Sequence, residues 1–580
     1  MRYLRMLSNS LVAGVLAACY VLVLVLQLNP TLPLHPARLV PLAATIGLFY
    51  AVHLTVIFYV LLVVRQLLAR ELFSPAWISV GVLAWLGAAA AAAGAALMWG
   101  NLHTFTIVLE PTTVNEIAKG MLSLVASASL FAVVALLRAH FWPRQRATCA
   151  LLLVIVAAGS VLAPLVLRGR GAVPVLEAHP IDVTLDIGTT ERPARVTVVA
   201  IDAGSLDFIT SATAEGRLPN FGRILDAGAV MHLATLHPTS ADAVWAAVAT
   251  GKLPQKNGVR SAGVYRLAKA GDSIQLLPDY CFAHGLVRFG FLVEEPHTSA
   301  TLRTRTLWSI LGTLGISVGV VGWPLTHPAP VVRGYLVSDT YTRLASTTSG
   351  LEDSSSVYPP DLRTEAAAAA EAAASDDRPA VPVRLGAVDD VPARTDRTYH
   401  RIAEALALAR PARVTVVRYQ SLDPIGHYFL RYAMPSAFGD VTDDERRRFG
   451  SVLEQHYSAI DEAIGRAIPA LGPDDLLLVV SAYGMEPLGL WKRLIEKLIG
   501  DSEVSGTHEA APDGFLMAYG ATVARGRPLS RASVVDVVPT VLYFLGLPIG
   551  RDMDGYARTD VFQPAFTEER PITFIPTYDR

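Results

Sequence analysis

The chain has 580 residues, of which 52% are hydrophobic and 17% charged, with a net charge of −2. That balance excludes a global basic field of the kind that binds nucleic acid, and three cysteines exclude a disulfide framework. The length allows more than one domain, and the apolar excess is concentrated in residues 1 to about 167.

Crossing a bilayer takes roughly 20 apolar residues at about 1.5 Å of rise each. Five stretches reach that length: about Leu11–Leu28, Val40–Val64, Ile78–Gly100, Met121–Leu137 and Ala147–Leu167. They predict an N-terminal α-helical transmembrane bundle over residues 1–170, because five such runs in tandem suit a soluble core poorly. Arg2 and Arg5 precede the first span, Arg65 and Arg70 follow the second, and Arg138, Arg144 and Arg146 follow the fourth. The intervening loops hold little more than Arg38 and Lys119. This positive-inside pattern places the N-terminus in the cytoplasm and, after five spans, the C-terminal domain outside, periplasmic or extracellular. Arg168 and Arg170 oppose it mildly. The run Leu16-Ala17-Ala18-Cys19 looks like a lipoprotein cleavage site, but the apolar residues continue to Leu28 as a span would.

From about Ala172 short β-branched runs alternate with helical stretches, which predicts an α/β domain over 171–580 with a mostly parallel central sheet. Four runs are clear: Arg195–Ile201, Ile316–Gly322, Arg413–Tyr419 and Leu476–Val480. Three of them lead at their C-terminal ends to chemistry-bearing positions: Asp202, Asp423 in the following loop, and the pair Ala482-Tyr483. Open α/β sheets gather ligands at such ends. Residues 346–398 break the rhythm with Ser-rich and Asp/Pro/Arg-rich stretches around the Ala-rich Glu365–Ala374. They read as an exposed insertion with one Ala-rich helix, a cap over the pocket, or as a disordered loop.

An ordered series of phrases carries a resemblance. Val196–Asp202 is followed by Arg217-Leu-Pro-Asn220, His237-Pro-Thr-Ser-Ala-Asp-Ala-Val-Trp245 and Ala249-Thr-Gly251. Trp308, Val320-Val-Gly-Trp-Pro324, Asp423-Pro-Ile-Gly-His427 and Ser505-Gly-Thr-His508 come next. Val535-Asp-Val-Val-Pro-Thr540 and Asp552-Met-Asp-Gly555 close it. Together they resemble the type I phosphodiesterase/nucleotide pyrophosphatase family of the alkaline phosphatase superfamily, over nearly the whole C-terminal half and none of the apolar half. The resemblance implies an alkaline-phosphatase-like domain in which two zinc-type ions flank a phosphate ester.

Carried over by position, Asp423, His427 and His508 would form one three-ligand metal site. The second ion would need Asp202, the nucleophile and an Asp-His pair, and that pair reads Ala482-Tyr483 here. The nucleophile position is Ala241, which has no hydroxyl. Ser240, one residue early, is either a substitute nucleophile or the N-cap of the helix beginning there. Asp242 is either a compensating ligand or an ordinary first-turn acid. Taken singly, Asp423 suits a turn before Pro424, His427 a satisfied half-buried histidine, and His508 an exposed loop. Trp245, Trp323 and Tyr428 suit a core or pocket wall.

Two functions follow. One is a membrane-anchored extracytoplasmic hydrolase of phosphate esters, holding one zinc-type divalent ion, with its nucleophile and second metal site impaired. Its layout is similar to that of lipid-linked phosphoglycerol and phosphoethanolamine transferases. The other is an inactive member that binds a phosphorylated ligand or a protein partner at the membrane. The partners implied are the lipid bilayer and a phosphate-ester small molecule or phospholipid headgroup, with no nucleic acid.

Overall fold

The computed structural model describes residues 1–69, 72–141, 145–169, 193–267, 273–345, 355–375, 391–499, 501–526 and 529–579. Chain contacts divide it into two units, Met1–Leu176 with Gly263–Pro296, and Glu177–Ala262 with His297–Arg580. Arg70, Arg144 and Arg170 lie outside the described residues, as does much of 346–398.

The first unit is built on five helices, α1 (Arg2–Leu28), α2 (Pro36–Ala69), α3 (Val80–Phe105), α4 (Pro111–Leu136) and α5 (Arg146–Leu167). All five are long and apolar enough to cross a membrane. Each expected span lies in a helix to within two residues, Ile78 and Ser79 preceding α3 and Leu137 following α4, but four of the helices extend well beyond the apolar run. Hydrophobicity marks the stretch that avoids water, whereas backbone hydrogen bonding continues through polar turns such as Pro111–Glu116. Close packing fixes the bundle: a Cβ on Gly14 of α1 would come within 2.7 Å of the Thr55 backbone nitrogen on α2. Large apolar side chains such as Leu48, Val52 and Val56 point outward.

Arg168 is fully buried and works as a cap. Its guanidinium donates to the carbonyl of Leu26 (2.6 Å) in the last turn of α1 and to those of Asn29 (3.2 Å), Pro30 (3.3 Å) and Leu32 (2.7 Å) just beyond it. These bonds tie the end of α5 to the end of α1.

Gly263–Pro296, within the stretch expected to be α/β, packs with these helices. The strands among the described residues are β1 (Val196–Ile201), β2 (Ala229–Ala234), β3 (Val264–Leu267), β4 (Ser273–Ile274), β5 (Leu292–Glu295), β6 (Val318–Val321), β7 (Gly334–Val337), β8 (Val357–Tyr358), β9 (Val414–Tyr419), β10 (Leu476–Tyr483), β11 (Glu486–Pro487), β12 (Gly506–Thr507), β13 (Asp513–Tyr519), β14 (Ala532–Ser533), β15 (Ile549–Gly550) and β16 (Phe574–Ile575). In the first unit, β4-β3-β5 form a small antiparallel sheet. Two buried asparagines clasp the segment. Asn29 Nδ2 donates to Leu276 O (2.7 Å), and its Oδ1 accepts from Gln275 N (2.9 Å) and Leu276 N (3.0 Å). Asn101 on α3 pairs with Asp279 likewise, at 3.1 and 2.7 Å.

The second unit is a nine-stranded sheet in the order β14-β2-β13-β10-β1-β9-β6-β7-β8. β10, β1, β9, β6 and β7 run parallel, and antiparallel pairs join β13 to its neighbours and β8 to β7. Alternate residues of one strand enter two separate cores, Val198 and Ala200 on one face and Val199 and Ile201 on the other. Both faces are thus covered, which is why these strands read as unbroken apolar runs. The Ala-rich stretch is helical over Arg363–Ala374.

Candidate active site

Strand register decides what meets at the sheet's C-terminal edge. Ile201 stands level with Ser481 of β10 and Tyr419 of β9, so Asp202 emerges beside Ala482-Tyr483 and Arg418. Its backbone nitrogen donates to Tyr419 O at 2.9 Å. The Asp202 carboxylate is buried, and both of its oxygens are taken by Arg418. Nε donates to Oδ1 at 2.9 Å and the terminal nitrogen to Oδ2. Burial acts to depress the guanidinium's pKa, but the Asp202 carboxylate beside it outweighs that and keeps it raised. Two further acids feel this cation. Burial pushes Asp242 up to about 7, with Arg418 opposing the shift and Asp339 and Asp202 adding to it. Burial also raises Asp339, again opposed by Arg418.

The three-ligand set assembles a short way off. Asp423 lies in the first turn of the helix Leu422–Ala433, not in a preceding loop as expected, and His427 follows one turn later on the same face. His508 comes in just after β12. Asp423 Oδ1 stands 3.6 Å from His508 Nε2, and Oδ2 stands 4.0 Å from His427 Nε2. One ligand atom from each residue lies within 4.8 Å of the other two. His427 Nδ1 is held by the Gly506 carbonyl at 2.9 Å, which turns Nε2 toward the cluster. Asp423 Oδ1 and His508 Nδ1 are buried with no hydrogen-bond partner. A carboxylate and two imidazoles with unspent lone pairs fit a divalent ion of the zinc type.

Two glycines permit the approach of helix and loop. A Cβ on Gly506 would stand 2.5 Å from the Gly426 carbonyl oxygen, and one on Gly426 would stand 2.4 Å from Met485 Sδ. Only a bare backbone lets β12 lie this close to the helix.

The remaining expected positions offer no second set of ligands. Ala482 and Tyr483 are inside β10 rather than past its end, and both are fully buried. The Tyr483 ring packs 5.2 Å from that of His508, and its hydroxyl is buried without a partner. Ala241 opens the helix Ala241–Thr250. Ser240 occupies the N-cap position, but its hydroxyl makes no cap hydrogen bond and is buried unpartnered. The expected capping contact is therefore not made. Trp245, Trp308 and Trp323 pack edge to face in the core, at 5.0 and 5.6 Å between ring centres. The Tyr428 hydroxyl donates to Asp501 at 3.0 Å. Buried Lys252 pairs with the half-buried Asp552 and Asp579 and ties down the closing Asp552–Gly555 motif.

Sequence reasoning missed Arg418 and Asp339. The signal for Arg418 was present: an arginine within the apolar strand Val414–Tyr419 must find a buried acid.

Residues 196–533, more than half of the chain, match the sequence model of the type I phosphodiesterase/nucleotide pyrophosphatase family. The chain belongs to that family. Among solved structures it is similar to a mutant of the alkaline phosphatase PafA, at 13% identity over 65% of this chain and 100% of that one, with a TM-score of 0.42. It is also similar to an inactive form of murine ectonucleotide pyrophosphatase/phosphodiesterase 5 in complex with AMP, at 12% identity over 64% and 100%, with a TM-score of 0.38. No curated protein matches the chain.

Proposed function

We propose that the protein is a membrane-anchored member of this family that binds a phosphate ester at one divalent ion held by Asp423, His427 and His508, with Arg418 as a resident cation in place of a second ion. The Asp202–Arg418 pair carries this reading. Asp202 is the one ligand of the second set that remains, and both of its oxygens are committed to the guanidinium. A divalent ion at the triad would supply Lewis-acid polarisation of a phosphoryl oxygen. Ala241 offers no hydroxyl for covalent phosphoryl transfer, and the cluster of three candidate ligands does not include Asp242.

The arginines Arg2, Arg5, Arg65, Arg138 and Arg146 fall at one end of the helical bundle, the α1 start, the α2 end and the α4–α5 turn. That supports a cytoplasmic N-terminus and an extracytoplasmic α/β domain.

A second reading is hydrolysis without a covalent intermediate. It is favoured by the three-ligand set, which leaves a coordination position open. Calorimetry of the full chain in detergent with zinc and bis(para-nitrophenyl) phosphate tests both. Saturable binding lost in Asp423→Asn, without release of nitrophenolate, supports the first reading. Release that disappears in the same variant supports the second. No binding by the zinc-loaded protein rejects both.

A further inference from the structure

We propose that residues 280–293 form a second membrane contact, an aromatic patch that lies in the bilayer interface against phospholipid. Tyr280, Phe282 and Phe289 are 71%, 52% and 58% exposed, and Phe291 and Val293 are also open to the outside. Their placement argues against a water-facing role, because the segment is fastened to the flank of α2. The Phe49 ring lies 5.4 Å from Phe291 and 6.4 Å from Phe289, and the Tyr50 hydroxyl lies 3.3 Å from Cys281 Sγ. The short helix His284–Arg288 sits close enough to α2 that a Cβ on Gly285 would come within 3.1 Å of the Phe49 ring.

Depth follows from α2 itself. Its far end carries the exposed Arg65, and a hydrocarbon core takes roughly 20 helical residues. Counting back from Arg65 puts the opposite edge of the core near residue 45. Phe49 and Tyr50 then stand about one turn inside that edge, and the chain packed on them lies at the boundary of headgroups and acyl chains. The patch continues the outward apolar face of α2, where Leu48 and Val52 flank Phe49. Arg288 is exposed next to Phe289, placed to meet headgroup phosphates. The asparagine clasps hold the same segment at the ends of α1 and α3. Its two ends continue into the α/β unit, so the unit that carries the metal ligands is covalently tied to this patch on both sides.

The proposal rests on reading α1–α5 as membrane spans, and its test separates the two. In full-length protein with Cys19, Cys149 and Cys281 replaced by serine, a fluorophore is placed at Phe289→Cys, Val56→Cys or Leu408→Cys and the protein is reconstituted in phosphatidylcholine/phosphatidylglycerol vesicles. Spin-labelled lipids and aqueous iodide serve as quenchers. The expected result is that the label at 289 loses most of its emission to lipid labelled near the headgroup. The label at 56 should lose it to lipid labelled deep in the chain, and the label at 408 only to iodide. Quenching at 56 but iodide-only quenching at 289 overturns the inference and leaves the spans standing. Shielding of 289 from both quenchers, as by a second copy of the chain, also overturns it. Failure of lipid quenching at 56 overturns the span reading first.

Discussion

Arg418 and Asp202 face each other across neighbouring parallel strands, and the guanidinium takes both carboxylate oxygens in a buried setting. Two charges withdrawn from water in this way are mutually dependent, because each pays for burial only through the other. Arg418→Met should therefore destabilise the chain by about 3–5 kcal/mol, the usual cost of leaving a buried charge alone. Adding Asp202→Leu should restore most of the loss. Chemical denaturation of the detergent-solubilised protein measures both, and a loss below about 1 kcal/mol in the single variant would show the pair to be unimportant.

The approach of Gly506 to the helix Leu422–Ala433 sets the position of His427, whose Nδ1 is held by the Gly506 carbonyl. Gly506→Ala should push β12 away from Gly426 and weaken metal affinity by about tenfold or more, with all three ligands retained. Zinc titration of the wild type and variant reads this directly. Unchanged affinity would mean that the loop tolerates the shift.

Asn29 satisfies three backbone groups of Gln275 and Leu276 that the end of α1 would otherwise bury unpaired. Asn29→Ala should cost about 2 kcal/mol locally, which corresponds to a roughly thirty-fold faster amide exchange at those two residues. Exchange measured by mass spectrometry on peptides covering 273–280 tests it.

His456 lies buried beside a cavity of about 300 Å³ whose walls include Asp396, Arg397, His400, Glu462 and Arg466. Burial lowers its pKa to about 4. The unfolded chain, with an ordinary histidine near 6.5, binds more protons than the folded one between those values. Stability contributed by the neutral ring is therefore complete above about pH 6.5 and is lost as pH falls toward 4, on the order of 3 kcal/mol in all. His456→Gln should flatten that part of the profile. An unchanged acid slope in the variant would assign it to other groups.

Much of this was legible from sequence because the signals were local. The apolar runs largely coincide with the five long helices, and the strands ending at Asp202 and at Ala482-Tyr483 converge as their spacing suggested. Asp423 and His427 share a helix face because they are four residues apart, and Pro424, which also suits a turn, here occupies the first turn of the helix. What stayed hidden depends on contacts distant in sequence. Arg418 and Asp202 are 216 residues apart. The clasp of Asn29 on Leu276 spans 247 residues and leaves no periodic trace. Ser240 stands where a cap would, yet whether its hydroxyl turns to the backbone depends on neighbours that the sequence does not reveal.

The central claim is a site for one ion, with an arginine in place of the other. Metal content per chain, measured by plasma mass spectrometry on the full-length protein beside His427→Ala, tests it most directly. The account predicts one divalent ion per chain in the wild type and none in the variant. Two ions in the wild type, none in either protein, or one retained after His427→Ala would contradict it.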